Sequence, residues 1–120
     1  MKKMDISAIV RQKEFFLQFA HECLLNSRKA INCYSETKNI HVALQFMNQA
    51  FQCIKIAQSL YLQICDRGEI QYFEDFFHQF NNLNQEFLEA LNETHSFQHS
   101  LDLLDGLEEI YQELKSYFHM

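Results

Sequence analysis

The longest regular pattern in the chain lies between Ile40 and Cys65, where small or apolar residues recur at alternating steps of four and three. An α-helix completes a turn in about 3.6 residues, so this spacing places the whole row on one face of a helix. Such a seam predicts packing against another helix at a shallow angle. Its alanines recur every seven residues, which predicts close approach along one line. The row consists of Ala43, Met47, Ala50, Ile54, Ala57, Tyr61 and Ile64.

Three other segments show the same helical spacing, and the chain has no proline and only two glycines to interrupt it. They run from about Asp5 to Tyr34, from Glu69 to Leu91 and from Phe97 to Phe118, with polar connections at 35–39, 66–68 and 92–96. Because each apolar face needs a neighbour and the connections are short, consecutive helices are expected to be antiparallel. The sequence therefore predicts an all-α fold, an antiparallel up-down-up-down four-helix bundle, with residues 1–120 as a single domain.

The net charge of −6 is divided unevenly along the chain. Residues 1–65 carry eight Lys or Arg against four Asp or Glu, whereas residues 66–120 carry two against twelve. The acidic half should repel nucleic acid, and the basic half is too dilute to form a phosphate-binding stripe. No apolar run approaches the roughly 20 residues that cross a bilayer, and the N-terminus lacks the apolar segment of a signal peptide. We therefore expect a cytoplasmic protein that binds neither nucleic acid nor membrane.

Signs of catalytic or metal chemistry in the sequence are few. The four cysteines show no metal-binding spacing and are expected to be reduced core residues. No phosphate-binding loop, dinucleotide fingerprint or hydrolase motif occurs, so we expect neither an enzyme nor a cofactor. The strongest metal candidates are His95, His99 and Asp102, which could meet one ion if all three lay on one helix face.

The aromatic residues supply the main functional indication. Phe73, Phe77 and Phe80 follow the core stripe of the third helix and need no functional explanation. Tyr72 and Phe76 lie outside that stripe, and Phe15 and Phe19 add further aromatic surface on the first helix. Exposed aromatic grooves between helices are docking sites for amphipathic helices. We therefore predict that these four residues, with the close-packing alanines Ala43, Ala50 and Ala57, contact a partner protein.

Short motifs distributed over most of the chain resemble those of the flagellar secretion chaperone FliS family. They are Glu22-Cys23-Leu24, Lys29-Ala30-Ile31, Asn48-Gln49-Ala50 followed by Ile54, Gly68-Glu69-Ile70 at the start of the third helix, and Glu86-x-x-Glu89-Ala90 near its end. Three features depart from the family pattern, and the first is that the third helix needs about two extra residues to align with it. Residues 1–15 contain no tyrosine, and Phe76-Phe77 replaces an aromatic-tyrosine pair.

The resemblance implies a chaperone that holds the terminal helices of a flagellin-like export substrate in grooves between its own helices, here the second and third. A small metal- or cofactor-binding bundle is the alternative from a different class, and a structural homodimer of bundles is a further one. A stoichiometric metal in the purified protein would favour the metal-binding alternative. Its absence, together with a co-purified peptide, would favour the chaperone.

Overall fold

The computed structural model describes the backbone of residues 6–64, 71–93 and 97–118, and within these ranges the side chains of 10–63, 73–92 and 97–116. These residues form four α-helices and no strand, which confirms the predicted all-α bundle. The helices are α1 (Ile6–Thr37), α2 (Ile40–Ile64), α3 (Gln71–Glu93) and α4 (Gln98–Phe118). None of the helices in these ranges is long and apolar enough to cross a membrane.

Aromatic contacts establish the antiparallel order of the bundle. The end of α1 meets the start of α4, where the ring centroids of Tyr34 and Phe97 lie 5.1 Å apart. The end of α2 meets the start of α3, with Tyr61 and Phe73 separated by 4.6 Å. Each helix therefore packs against two others: α1 and α3 each contact both α2 and α4. The resulting rod measures 50 × 21 × 21 Å.

The first connection is shorter than the predicted range 35–39, because α1 continues to Thr37. Lys38 then takes the left-handed conformation, with φ 59°, and its N–H donates to the Tyr34 carbonyl at 2.9 Å. This residue and its hydrogen bond cap the C-terminus of α1. Asn39 begins α2, since its Oδ1 accepts a hydrogen bond from the Val42 N–H at 3.1 Å. The other two predicted connections lie largely outside the described residues.

The seam of α2 is buried as its spacing predicts. From Ala43 to Tyr61 every member of the row lies in the core, and the three alanines have no exposed surface. Helices α1 and α2 share the most extensive contact in the bundle, which small side chains allow because they let two backbones approach. The alanines therefore pack within the bundle, and the prediction that Ala43, Ala50 and Ala57 contact a partner does not fit this burial. A second protein would reach them only by displacing a helix.

The expectation that Phe76 lies outside the core is wrong, because its side chain is 0% exposed. Leu83 and Ala90, which follow it at seven-residue intervals, are also fully buried. Helix α3 packs against both α2 and α4, so its buried face is wider than one row of residues. Phe76 is therefore a core residue, packed edge-on against Phe77 at a centroid distance of 6.3 Å.

The core face of α4 is formed by four residues, Leu104, Leu107, Tyr111 and Leu114, which are all buried. Leu103 and Ile110 flank this face and are half-buried. The face in contact with α3 includes Gly106, above which the Gln79 side chain crosses and donates to the Leu103 carbonyl at 3.2 Å.

Candidate functional site

Among the four neighbouring helix pairs in the described part of the chain, α2 and α3 have the most widely spaced backbones. Near the middle of both helices, the ring centroids of Phe51 and Phe80 lie 6.5 Å apart. Because the helices are antiparallel, the first half of α2 then lies beside the second half of α3. Towards the other end, Tyr61 Oη donates to Glu74 Oε1 at 2.9 Å and joins the two helices. The stretch from Ile40 to Phe51 lies on the other side of the Phe51–Phe80 contact from this hydrogen bond. We call the surface between this stretch and α3 the α2–α3 groove.

Apolar side chains line both edges of the α2–α3 groove. On α2, Ile40 is 44% exposed and Leu44 is half-buried, in the same row as Phe51. On α3, Leu88 is 41% exposed and Leu91 is half-buried. Water contact with these side chains is unfavourable, and covering them would release free energy roughly in proportion to the area removed from water. The groove is thus a surface that a second apolar element would stabilise.

The rim of the groove is polar and carries little charge. Lys55 extends over the outer face of Phe51, with Nζ 5.0 Å from the ring centroid. Asn48 on α2 and Asn81 and Gln85 on α3 fall near the rim by their helical positions and are exposed. Amide groups can both donate and accept hydrogen bonds, so this rim can pair with either donor or acceptor side chains of a bound segment.

The structure does not bring the four predicted aromatic residues onto one surface. Phe15 is 44% exposed and Phe19 is half-buried, both on α1 and away from the α2–α3 groove. Phe76 is buried, and the side chain of Tyr72 lies outside the described residues. Burial therefore contradicts the prediction for Phe76, whereas a partner contact of Phe15, Phe19 and Tyr72 stays a prediction. The row of Ile40, Leu44 and Phe51 beside the α2 seam was the sequence signal that could have found one edge of the α2–α3 groove.

The predicted metal ligands are only partly described. His99 and Asp102 are exposed in the first turns of α4, and Asp102 Oδ1 accepts a hydrogen bond from Gln98 Nε2 at 2.9 Å. His95 lies outside the described residues, so the trio as a whole stays a prediction. Within the described ranges, no group of three or more His, Cys, Asp or Glu side chains is placed to hold a metal ion.

The three described cysteines are free thiols in different surroundings, and Cys65 lies outside the described residues. Cys23 is fully buried, and burial is the main reason that its thiol pKa is well above the ordinary value. Burial also raises the pKa of the half-buried Cys53, with a smaller contribution from the Glu22 carboxylate. A raised pKa keeps a thiol protonated and weakly nucleophilic, which is the opposite of what thiol catalysis requires.

Comparison with known proteins does not identify the groove. No protein-family model matches the chain, and no significant match is found to a curated protein or to a solved structure. The geometry of the described residues is therefore the basis for any functional assignment.

Proposed function

We propose that the chain is a helix-binding protein that takes an amphipathic helix of another protein into the α2–α3 groove. The observation that carries this proposal is that the most widely spaced helix pair has an exposed apolar side chain on each of its edges, Ile40 on α2 and Leu88 on α3. Docking of an amphipathic helix into an apolar groove is a recurring mode of recognition between proteins.

The length of the groove defines the occupant. Ile40 and Phe51 are eleven positions apart on α2, which corresponds to about 16 Å at 1.5 Å per residue. A helix of three to four turns fits this length, with apolar residues at positions i, i+3 or i+4, and i+7 facing inward. Its polar face would remain in water, and its flanks would meet the amide groups of the rim. A second helix of this kind supplies the apolar surface that Leu44 and Leu88 lack.

The resemblance to the FliS family supports a more specific form of the proposal. In that form the protein is a cytoplasmic export chaperone, and the bound helix belongs to the terminal region of a flagellin-like substrate. Such terminal helices expose apolar faces before assembly, and holding them in a groove prevents their aggregation. The same groove would serve a related adaptor if the substrate were another helical protein.

Paired variants of the two groove edges test the proposal. In the Leu44→Gln, Leu88→Gln double variant both edges of the groove become polar while every fully buried side chain is unchanged. With the purified C-terminal helical segment of a flagellin from the same genome, we expect binding to weaken at least roughly tenfold, since 1.4 kcal/mol is one decade in affinity. Isothermal titration calorimetry measures the affinity, and circular dichroism checks that the variant remains folded.

Ile56→Gln is the matched control, because Ile56 is 42% exposed on α2 but lies on another side of that helix. It should bind as the parent protein does. Equal losses from the control and the double variant would contradict the groove assignment. A photo-crosslinking residue at position 44, used in cells, then identifies the occupant. If the crosslinked product is a second copy of this chain, the groove is a dimer interface and the proposal fails.

A further inference from the structure

A second opening lies on the other side of the bundle, between α1 and α4. It is a cleft of about 440 Å³, a size typical of small-molecule sites. His21 and Arg28 line it from α1, and Glu108 and Lys115 line it from α4. The seven positions between His21 and Arg28 correspond to about 10 Å along the helix axis. We call this opening the α1–α4 cleft.

At one end of the α1–α4 cleft the only cation among the described residues is paired with carboxylates. Arg28 Nη2 donates a hydrogen bond to Glu108 Oε1, and the same nitrogen lies 3.8 Å from Asp105 Oδ1. This ion pair joins α1 to α4. The two carboxylates therefore more than compensate the guanidinium charge, and this end offers no positive charge to an anionic ligand.

The other end carries uncompensated positive charge. Lys115 Nζ lies 5.9 Å from the ring centroid of Tyr111, and among the described residues no carboxylate is within ion-pair distance of it. The imidazole of His21 lies beside the same ring, with centroids 5.8 Å apart. An anion at this end would gain both an ammonium partner and the hydrogen-bonding nitrogens of an imidazole.

The middle of the cleft is apolar. Leu24 and Tyr111 are nearly buried and form its floor, and Leu25 is a partly exposed wall. A tyrosine phenol is protonated at neutral pH, and burial raises the pKa of Tyr111 further, so its hydroxyl adds no negative charge against an anionic ligand. A ligand that fits this surface therefore has an apolar body and one anionic end.

We propose that the α1–α4 cleft binds a small amphipathic carboxylate, with its carboxylate at Lys115 and His21 and its apolar body along Leu24, Leu25 and Tyr111. The cleft length suits a chain of about ten carbons. This site is separate from the α2–α3 groove, so it does not depend on the proposed function. Charge complementarity selects the occupant, because an uncharged or cationic molecule of the same length gains nothing from Lys115.

Three ten-carbon probes test the charge requirement: decanoate, decanol and decyltrimethylammonium, each below its aggregation concentration. We expect saturable binding of decanoate at one site by isothermal titration calorimetry, at least fivefold tighter than that of either other probe. Chemical-shift changes at Leu25 and Tyr111 locate it. Equal binding of the three probes, or no saturable binding of decanoate, would overturn the proposal.

Lys115→Gln and Lys55→Gln form a matched pair of variants, since each lysine lies over an aromatic ring on the bundle surface. Decanoate binding should weaken at least fivefold in Lys115→Gln and stay unchanged in Lys55→Gln. Lys115→Gln should also lose the preference for decanoate over decanol. A loss confined to Lys55→Gln would place decanoate in the α2–α3 groove, which would refute this site while leaving the helix-binding proposal open to its own test.

Discussion

The side-chain amide of Gln79 on α3 occupies the space that a Cβ atom at Gly106 on α4 would need, since Gln79 Nε2 would lie only 3.0 Å from it. The same nitrogen donates to the Leu103 carbonyl at 3.2 Å. A glycine inside a helix costs about 1 kcal/mol relative to alanine. At this position the missing side chain leaves room for a hydrogen bond between two helices, which offsets part of that cost.

This relationship predicts a coupling between the two positions. Gly106→Ala alone should change the free energy of unfolding by less than about 0.5 kcal/mol, because the helix gain is offset by displacement of the Gln79 amide. In a Gln79→Ala background the same change should stabilise by about 1 kcal/mol. Urea denaturation of all four proteins gives the double-mutant cycle. Equal stabilisation in both backgrounds would show that the amide does not constrain position 106.

The connection between α1 and α2 predicts opposite effects at two adjacent residues. Asn39→Ala removes the cap on the Val42 N–H and should destabilise by about 1 kcal/mol. Lys38→Gly replaces a residue at positive φ with glycine and should stabilise the fold by up to about 1 kcal/mol. Loss of the interaction between Lys38 Nζ and the Tyr34 ring, 5.2 Å from the centroid, reduces this gain. Thermal unfolding measures both. Asn48→Ala, an exposed change in the middle of α2, is the control for Asn39→Ala and should have little effect.

The spacing of residues was sufficient to predict four helices and the buried row of α2. A helix with one dominant neighbour buries a narrow face, and its period alone identifies that face. The same spacing did not identify Phe76 as a core residue. Its burial depends on how α3 is rotated between two neighbours, and the period of a single helix carries no information on that rotation.

The candidate groove was harder to predict for a related reason. The row of Ile40, Leu44 and Phe51 is visible in the sequence as apolar, but a sequence does not show whether another helix covers it. Leu88 joins the same groove only because α2 and α3 are antiparallel and have widely spaced backbones. The α1–α4 cleft likewise depends on pairing His21 with Lys115, which are 94 positions apart in the chain.

The cysteines are predicted to react in an order set by burial. Cys33 should be labelled first by a thiol reagent, Cys53 more slowly and Cys23 last, because burial raises the pKa of the Cys53 thiol and raises that of the fully buried Cys23 well above its ordinary value. Peptide mass spectrometry resolves the sites. In denaturant the three rates should become similar. Rapid native labelling of Cys23 would contradict its place in the core.

Burial of Cys23 also predicts a pH dependence of stability. Its pKa is raised in the folded protein, so above about pH 8.5 the unfolded chain loses this proton first. The folded state then binds more protons, and the free energy of unfolding decreases as pH rises. Below that pH the contribution is fully present. Comparison with Cys23→Ala between pH 7 and pH 10 isolates the effect, since the variant should show a shallower decline over that range.

The burial of Phe76 predicts a contrast with Phe15, the exposed aromatic residue of α1. Phe76→Ala leaves a cavity beside Phe77 and should destabilise by roughly 3 to 5 kcal/mol, because a packed core relaxes only partly around lost atoms. Phe15→Ala removes a ring that is 44% exposed and should cost less than about 1 kcal/mol. Chemical denaturation measures the free energy of unfolding of each variant, and the two values can be compared if the dependence on denaturant concentration is unchanged. If Phe76→Ala were as mild as Phe15→Ala, the ring would have to lie at a surface, and the wide buried face assigned to α3 would be incorrect.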